Sequence, residues 1–159
     1  MASPYTSKST VRFNHTDPAS YVFFPRYFEM LHAAVEDWFT IALGINYADL
    51  INVDRIGFPT AKTECEFFRP SRLGDTVEIT VYVAKLGTSS ISLLFIGGAN
   101  GEERLRAQST LVAISLEDGR PRALTNELRI QIDAYICRQG EIPKDTMSRA
   151  AQALAKGEG

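Results

Sequence analysis

Asp17 and the residues that follow it form the stretch of this sequence with the clearest potential for chemistry. A carboxylate can act as a nucleophile or as a general base that activates water. Pro25 then begins a pattern typical of a helix, and a helix start offers unpaired backbone N–H groups that favour negative charge. Because proline has no N–H, the nearest donor is the backbone N–H of Phe24. The alternative role of Asp17 is an Asx turn before Pro18 or a cap near the helix.

The composition is typical of a globular protein with one compact core. The chain has 159 residues, of which 45% are hydrophobic and 23% are charged. Its 17 basic and 19 acidic residues are interspersed, so no broad basic face exists and we expect no nucleic-acid partner. No apolar run approaches the roughly 20 residues of a membrane-spanning helix, and the N-terminus is polar. We therefore expect no membrane partner and a cytoplasmic location.

The two cysteines, Cys65 and Cys137, are predicted to be free thiols. They lie 72 positions apart, far from the short spacings of zinc sites. Two cysteines also do not make a disulfide scaffold. We expect no metal site.

One long amphipathic helix is predicted from about residue 25 to about residue 43. Its apolar residues recur at steps of three and four, in the order Phe28, Leu31, Val35, Trp38 and Ala42. Pro25 suits the first helical position, and Gly44 suits the residue after the last turn.

Strand patterns occupy most of the remaining sequence. A short strand is predicted over residues 8–14, and longer strands are predicted over residues 60–69, 75–86, 89–98 and 102–116. The short connections between the longer strands are typical of an antiparallel meander. Residues 45–58 are interpreted as a short helix and a loop, and Thr125 is a candidate N-cap for a terminal helix.

These elements predict an α+β fold, in which an antiparallel sheet of about five strands wraps around one long central helix. Residues 1–143 are interpreted as a single domain and residues 144–159 as a C-terminal tail with the composition of a frayed helix. Residues 91–96 are apolar on both faces of their strand. We therefore expect subunits to pair.

Three stretches of the sequence carry a family resemblance. They are HTDPASYVFFPRYFEM from residue 15, ECEFFRPSRLGDTVEI over residues 64–79 and LGTSSISLLF over residues 86–95. They resemble the hotdog-fold thioesterases of the 4-hydroxybenzoyl-CoA thioesterase family, and together they span most of residues 8–116. The match departs at Ser20, where the family pattern has Gly, a residue that adopts left-handed backbone conformations at little cost.

The resemblance implies an acyl-CoA thioesterase, acting on an aromatic acyl group such as 4-hydroxybenzoyl or benzoyl, or on a short-chain acyl group. It assigns the catalytic carboxylate to Asp17, as nucleophile or as general base. It assigns the donor that polarises the thioester carbonyl to the backbone N–H of Phe24. Coenzyme A is then part of the substrate, and no separate cofactor is expected. The resemblance also implies a homodimer, with a dimer of dimers usual for the family.

Further site residues are assigned around this pair. His15 either orients Asp17 or is held by the backbone, and His32 either meets a polar group of the acyl portion or lies at an interface. Glu64 either approaches the site across a subunit interface or is a solvated strand residue. The acyl pocket is expected to be walled by residues on the way to the helix and in its first turn, namely Tyr21, Val22, Phe23 and Tyr27. The aromatic residues among them would serve equally well in the core.

The phosphates of coenzyme A require a few cations and hydrogen-bond donors near the mouth of the cleft. The candidate cations are Lys62, Arg69, Arg72, Lys85 and Arg104. By resemblance to the family's central hairpin, the first choice is the turn after Lys85, which adds the hydroxyls of Thr88 and Ser89. Each of these cations is alternatively an ordinary surface charge.

Two other functions remain as alternatives. A non-catalytic hotdog subunit that binds acyl groups would keep the helix and the sheet but would not need Asp17. A hotdog hydratase or dehydratase requires a histidine five positions after the aspartate, where this chain has Val22.

Overall fold

The structure is a computed structural model that describes residues 2–143. The predicted frayed helix over residues 144–159 lies outside the described residues, and the single-domain interpretation stays a prediction. Among residues 2–143, no helix combines the length and the apolar character needed to cross a membrane.

Within residues 2–143, seven strands form two antiparallel sheets. In chain order they are β1 (Tyr5–Thr10), β2 (Ile56–Gly57), β3 (Thr60–Phe67), β4 (Thr76–Leu86), β5 (Ser90–Ala99), β6 (Glu102–Val112) and β7 (Ile114–Ser115). The main sheet has five strands in the order β1-β4-β5-β6-β3, and β2 pairs with β7. The α+β class and the five-stranded antiparallel sheet around one long helix are therefore confirmed.

The helices begin and end near the residues that the sequence indicates. Helix α1 (Pro25–Asp37) continues through a π-helical turn (Trp38–Ala42), which confirms the predicted length of the central helix. A short α2 (Tyr47–Asn52) follows. Helix α3 (Asn126–Gln139) is capped by Thr125, whose hydroxyl accepts a hydrogen bond from the N–H of Leu128 at 3.2 Å.

One face of the main sheet packs on α1. The strand β4 alternates as predicted, with Val77, Ile79, Val81 and Val83 buried against the helix. On α1, Leu31, Ala34 and Val35 are among the residues buried in the same core, whereas Phe28, which the predicted stripe included, is 39% exposed. Leu94 points to the opposite face, between Tyr82 and Gln108 of the neighbouring strands, and is also buried.

The first strand prediction was wrong in its position. The strand β1 covers residues 5–10, and residues 13–15 form a 3-10 turn. The reason is tertiary, because β1 pairs with β4 only as far as Thr10 opposite Thr76. His15 therefore does not lie on a strand with Asp17.

The predicted meander was also wrong at one connection. The strand β3 pairs with β6 at the far edge of the sheet and not with β4. The connecting residues 68–75 do not make a hairpin turn, because their backbone groups bond to residues 11–22: the N–H of Val11 donates to Asp75 and the N–H of Gly74 donates to Val11.

Candidate active site

Residues 15–23 form a small hairpin that presents Asp17 at its tip. Thr16 and Val22 pair as a β-bridge, and the N–H of Phe23 donates to the carbonyl of His15 at 2.8 Å. The N–H of Ser20 donates to the carbonyl of Asp17 at 2.9 Å, which closes a turn with a proline at its second position. The Asp-Pro sequence therefore directs the chain back toward the helix start.

Ser20 adopts a left-handed conformation, with φ of +66°. A three-residue hairpin loop commonly ends with a residue in this region, and glycine is the usual choice because it has no Cβ. This geometry explains why the family pattern has Gly at position 20. In this chain a serine occupies the position, so the backbone is strained there.

The carboxylate of Asp17 uses one oxygen for structure. Its Oδ1 accepts hydrogen bonds from the N–H of Ala19 at 2.9 Å and from the N–H of Tyr21 at 3.3 Å. Its Oδ2 has no hydrogen-bond partner among the described residues. The Asx turn and an available carboxylate oxygen therefore coexist in this residue.

The backbone N–H of Phe24 is the open donor at the start of α1. The N–H of Phe23 donates to His15, the N–H of Arg26 donates to Phe23, and the N–H of Tyr27 donates to Phe24. Pro25 has no N–H. Among residues 23–27, all of them described, only Phe24 is left with a free backbone donor.

His15 is held by the backbone. Its Nδ1 accepts a hydrogen bond from the N–H of Arg12 at 2.9 Å, within the 3-10 turn. No hydrogen bond joins His15 to Asp17 in the described part of the chain. This geometry favours a structural role for His15, held by the backbone, over a role in orienting Asp17.

The loop of residues 68–75 clamps the Asp17 hairpin, and sequence reasoning missed this role. The N–H of Val22 donates to the carbonyl of Ser71 at 2.9 Å, and the N–H of Leu73 donates to the carbonyl of Ser20 at 3.1 Å. Tyr21 forms a β-bridge with Arg72. The family-like stretch of residues 64–79 contains this loop. The spacing of residues in the sequence does not indicate that the loop bonds to the Asp17 hairpin.

Arg104 anchors the same loop from β6 and is 8% exposed. Its guanidinium donates to the carbonyl of Pro70 and lies 3.4 Å from the Asp75 carboxylate and 2.9 Å from that of Glu102. The pKa of Asp75 is lowered, first by a hydrogen bond from the N–H of Arg72 and also by Asn100 and Arg104. Arg104 is therefore occupied inside the protein, which argues against its candidacy as a phosphate ligand.

Two of the cavities in the described part of the chain lie along α1. The first, here called the helix-start cavity, has a volume of about 320 Å³ and is lined by Val22, Phe24, Tyr27, Phe67, Phe68, Arg69 and Pro70. The second, the helix-face cavity, measures about 210 Å³ and is lined by Phe28, Leu31, His32, Val35, Thr60, Thr63, Phe95, Ser109 and Leu111. The ring of Phe67 lies 6.5 Å from those of both Phe24 and Phe28, so the cavities are neighbours.

Of the predicted pocket residues, Val22, Tyr27 and His32 line these cavities, whereas Tyr21 and Phe23 do not. Val22 and Tyr27 line the helix-start cavity but are buried, and Phe23 is 51% exposed beside Phe24. The hydroxyl of Tyr21 faces Arg72. His32 lines the helix-face cavity, where its Nε2 lies 3.3 Å from a carboxylate oxygen of Glu36.

Some predicted site residues do not lie near Asp17 of the same chain. Lys85 lies near the end of β4, and Thr88 and Ser89 follow that strand, whereas the Asp17 hairpin meets the loop that precedes β4. That strand has 11 residues, so roughly 35 Å separate its ends at about 3.3 Å per residue. Glu64 pairs with Lys62 at 3.0 Å on the sheet face opposite α1.

Arg69 is the predicted cation that lies beside Phe24. It lines the helix-start cavity, and its guanidinium is 3.3 Å from a Glu102 carboxylate oxygen. A larger groove of about 480 Å³ runs over the outer sheet face, lined by residues such as Thr80 and Gly98, but neither Asp17 nor Phe24 lines it. The groove with the larger volume is therefore not the one that contains the candidate site.

The sheet, the enclosed helix and the hairpin before it define the hotdog fold. The sequence matches the family model of the Thioesterase-like superfamily over residues 11–148, and the chain belongs to this family. It is a thioester hydrolase by class, as the resemblance implied. Among residues 2–143, no group of three or more His, Cys, Asp and Glu side chains is placed to hold a metal ion.

The relatives carry names of one kind. A 1,4-dihydroxy-2-naphthoyl-CoA hydrolase of Prochlorococcus marinus (strain NATL1A) is 33% identical over 100 residues, which span 59% of this chain and 67% of the relative. One of Gloeothece citriformis (strain PCC 7424) is 30% identical over 77% of this chain and 86% of the relative. A thioesterase from Thermus thermophilus, solved with coenzyme A and Zn, has a TM-score of 0.71 and 28% identity, covering 84% of this chain and 94% of that one.

Proposed function

We propose that this protein hydrolyses an acyl-CoA thioester to a free acid and coenzyme A, with Asp17 and the Phe24 N–H as its reacting groups. One observation carries the proposal. At the start of α1, Phe24 is left with the only free backbone N–H among residues 23–27, and the hairpin before it carries a carboxylate with one oxygen unbonded in the described part of the chain.

The chemistry follows from these two groups. The Phe24 N–H, at the positive end of the helix dipole, stabilises the oxyanion that forms on the thioester carbonyl. The Oδ2 of Asp17 has two possible routes. It can attack the carbonyl carbon, so that the C–S bond breaks and water then cleaves the mixed anhydride, or it can take a proton from water that attacks directly. Either route consumes one water and releases the thiol of coenzyme A.

An aromatic acyl group is the proposed substrate class. The relatives named above are hydrolases of 1,4-dihydroxy-2-naphthoyl-CoA, whose acyl group is aromatic. The helix-face cavity, about 210 Å³ in volume, has walls that include Phe28, Leu31 and Phe95. An apolar cavity of about 150 Å³ accepts one benzene ring, so this cavity suits a slightly larger flat group. His32 at its wall is the candidate contact for a polar substituent.

A second copy of the chain completes the proposed site. The strand β3 is an edge strand with exposed side chains and an aromatic end at Phe67, which is 43% exposed. An exposed edge strand presents unpaired backbone groups that are able to pair with another chain. Because Lys85, Thr88 and Ser89 lie far from Asp17 in one chain, we propose that they and Glu64 contribute from a partner, whereas Arg69 acts within the chain. A dimer of dimers and a cytoplasmic location stay predictions.

No separate cofactor is proposed, since coenzyme A enters as part of the substrate. The test is release of free thiol from benzoyl-, 4-hydroxybenzoyl-, 1,4-dihydroxy-2-naphthoyl- and short aliphatic CoA thioesters. We expect hydrolysis of an aromatic thioester by the wild type and loss of turnover in Asp17→Asn. Folded protein that leaves all of them intact would support the non-catalytic acyl-binding subunit instead. Full activity of Asp17→Asn would refute the role of Asp17.

A further inference from the structure

We propose that Arg72 is a positioning residue that holds the Asp17 carboxylate in place through Tyr21. This inference rests on the proposed function, because it concerns the same carboxylate. Arg72 lies in the loop of residues 68–75 and not in the Asp17 hairpin, and nothing in the spacing of the sequence connects the two.

Arg72 contacts the side chain of Tyr21 in two ways. Its Nη2 donates a hydrogen bond to the Tyr21 hydroxyl at 3.0 Å. The carbon of the guanidinium also lies 5.1 Å from the centroid of the Tyr21 ring, within the range of a cation–π interaction. The planar, permanently charged guanidinium can make both contacts at once, and a lysine can make only one of them well.

Tyr21 in turn holds Asp17 through the backbone. The N–H of Asp17 donates to the carbonyl of Tyr21 at 2.8 Å, and the N–H of Tyr21 returns a hydrogen bond to Oδ1 of Asp17 at 3.3 Å. The second bond engages Oδ1 and leaves Oδ2 without a hydrogen-bond partner among the described residues. A displacement of Tyr21 therefore rotates or shifts the carboxylate directly.

Arg72 is itself held by its neighbours. Its backbone N–H donates to Oδ2 of Asp75 at 2.9 Å, and the following residue, Leu73, donates to the carbonyl of Ser20 in the hairpin. No carboxylate lies within ion-pair distance of the Arg72 guanidinium among residues 2–143. Its guanidinium therefore contacts the side chain of Tyr21. By contrast, Arg69 forms an ion pair with Glu102, and Arg104 forms one with Asp75.

The competing role of Arg72 is a direct contact with a phosphate of coenzyme A. The two roles make different kinetic predictions. A residue that positions Asp17 affects the chemical step with any thioester, so its loss lowers kcat. A phosphate ligand affects binding only when the substrate has phosphates, so its loss raises KM for the CoA thioester alone.

The experiment compares Arg72→Gln, Arg72→Lys and Tyr21→Phe with the wild type, using a CoA thioester and the N-acetylcysteamine thioester of the same acid, which has no phosphate. We expect Arg72→Gln to lower kcat about tenfold with both substrates, since small displacements of a reacting group cost this much or more. Arg72→Lys should recover part of this loss. Tyr21→Phe keeps the ring but removes the hydroxyl, and should lower kcat several-fold. Arg120→Gln, in an exposed loop, is the matched control and should leave kcat unchanged.

Several results would overturn the inference. An increase in KM for the CoA thioester alone would assign Arg72 to phosphate binding. A lower melting temperature with unchanged kcat would make it merely structural. If Arg72→Gln does not fold, an unchanged kcat in Tyr21→Phe would be equally damaging. A wild type that hydrolyses neither thioester would contradict the proposed function itself, and the inference would fall with it.

Discussion

The hydroxyl of Tyr27 accepts a hydrogen bond from the backbone N–H of Ser71 at 3.0 Å, in the interior of the protein. Tyr27 is 4% exposed and Ser71 is fully buried. This contact joins the first turn of α1, where the free N–H of Phe24 lies, to the loop that clamps the Asp17 hairpin. A buried hydrogen bond between residues 44 positions apart therefore helps to hold the two halves of the candidate site together.

Tyr27→Phe should destabilise the protein by about 1–3 kcal/mol. The substitution keeps the ring in the core but leaves the buried N–H of Ser71 without an acceptor, and an unpaired buried donor carries this cost. Urea denaturation measures the change. Tyr82→Phe is the control, since no hydrogen bond of the Tyr82 hydroxyl occurs in the described part of the chain. It should change stability by less than about 0.5 kcal/mol. Equal effects of both substitutions would contradict the role of the Tyr27 hydroxyl.

Phe24→Pro should lower kcat about 10²- to 10³-fold, as expected for the loss of one oxyanion donor. The φ of Phe24 is −54°, which a proline ring tolerates, so the change removes the N–H with little distortion. Phe24→Ala keeps the N–H and removes the ring, and should cost far less in kcat. Steady-state kinetics of the two variants decide the matter. A folded, active Phe24→Pro would show that another group stabilises the oxyanion.

Ser20→Gly should stabilise the protein by about 0.5–1 kcal/mol. At φ of +66° a side chain with a Cβ is strained, and glycine relieves this strain at some cost in chain entropy. Ser20→Ala keeps the Cβ and should give no gain, which makes it the matched control. Thermal unfolding of the three proteins measures the difference. A stabilised Ser20→Ala would indicate that the effect comes from the hydroxyl and not from the backbone.

Asp75→Asn should destabilise the protein at neutral pH and less so in acid. The lowered pKa of Asp75 lies below the unfolded value of about 3.9, so the carboxylate stabilises the fold above that value. This contribution disappears as the pH falls below about 4 and through the folded pKa. Urea midpoints between about pH 7 and about pH 3 should therefore show the wild type approaching the variant. A constant difference across this range would contradict the assignment.

Cys137 should react with a thiol reagent in the folded protein much faster than Cys65. Burial, and then the charge of Glu66, raise the pKa of the Cys65 thiol to about 12, so at about pH 8 it carries almost no reactive thiolate. Cys137 is exposed. Cys137→Ser should abolish the fast phase in a DTNB assay, and urea should restore a reactive thiol. A fast phase that survives Cys137→Ser but not Cys65→Ser would contradict this prediction.

The local features of the site could be read from the sequence because they lie in one short segment. Residues 15–25 contain the carboxylate, the turn before it and the proline at the helix start, and each follows rules that act over a few residues. The departure at Ser20 was visible in the same way, and its positive φ agrees with the expected preference for Gly. The alternating pattern of β4 and the cap at Thr125 are likewise local.

The tertiary structure decided what depends on distant partners. It placed β3 beside β6 instead of β4, because residues 68–75 bond to residues 11–22 and cannot form a hairpin turn. It buried Arg104, placed Arg72 against Tyr21, and separated Lys85 from Asp17 by the length of a strand. A residue's type and spacing determine which chemistry it can perform. Long-range backbone pairing determines which other residues it can reach, and no local pattern encodes that pairing.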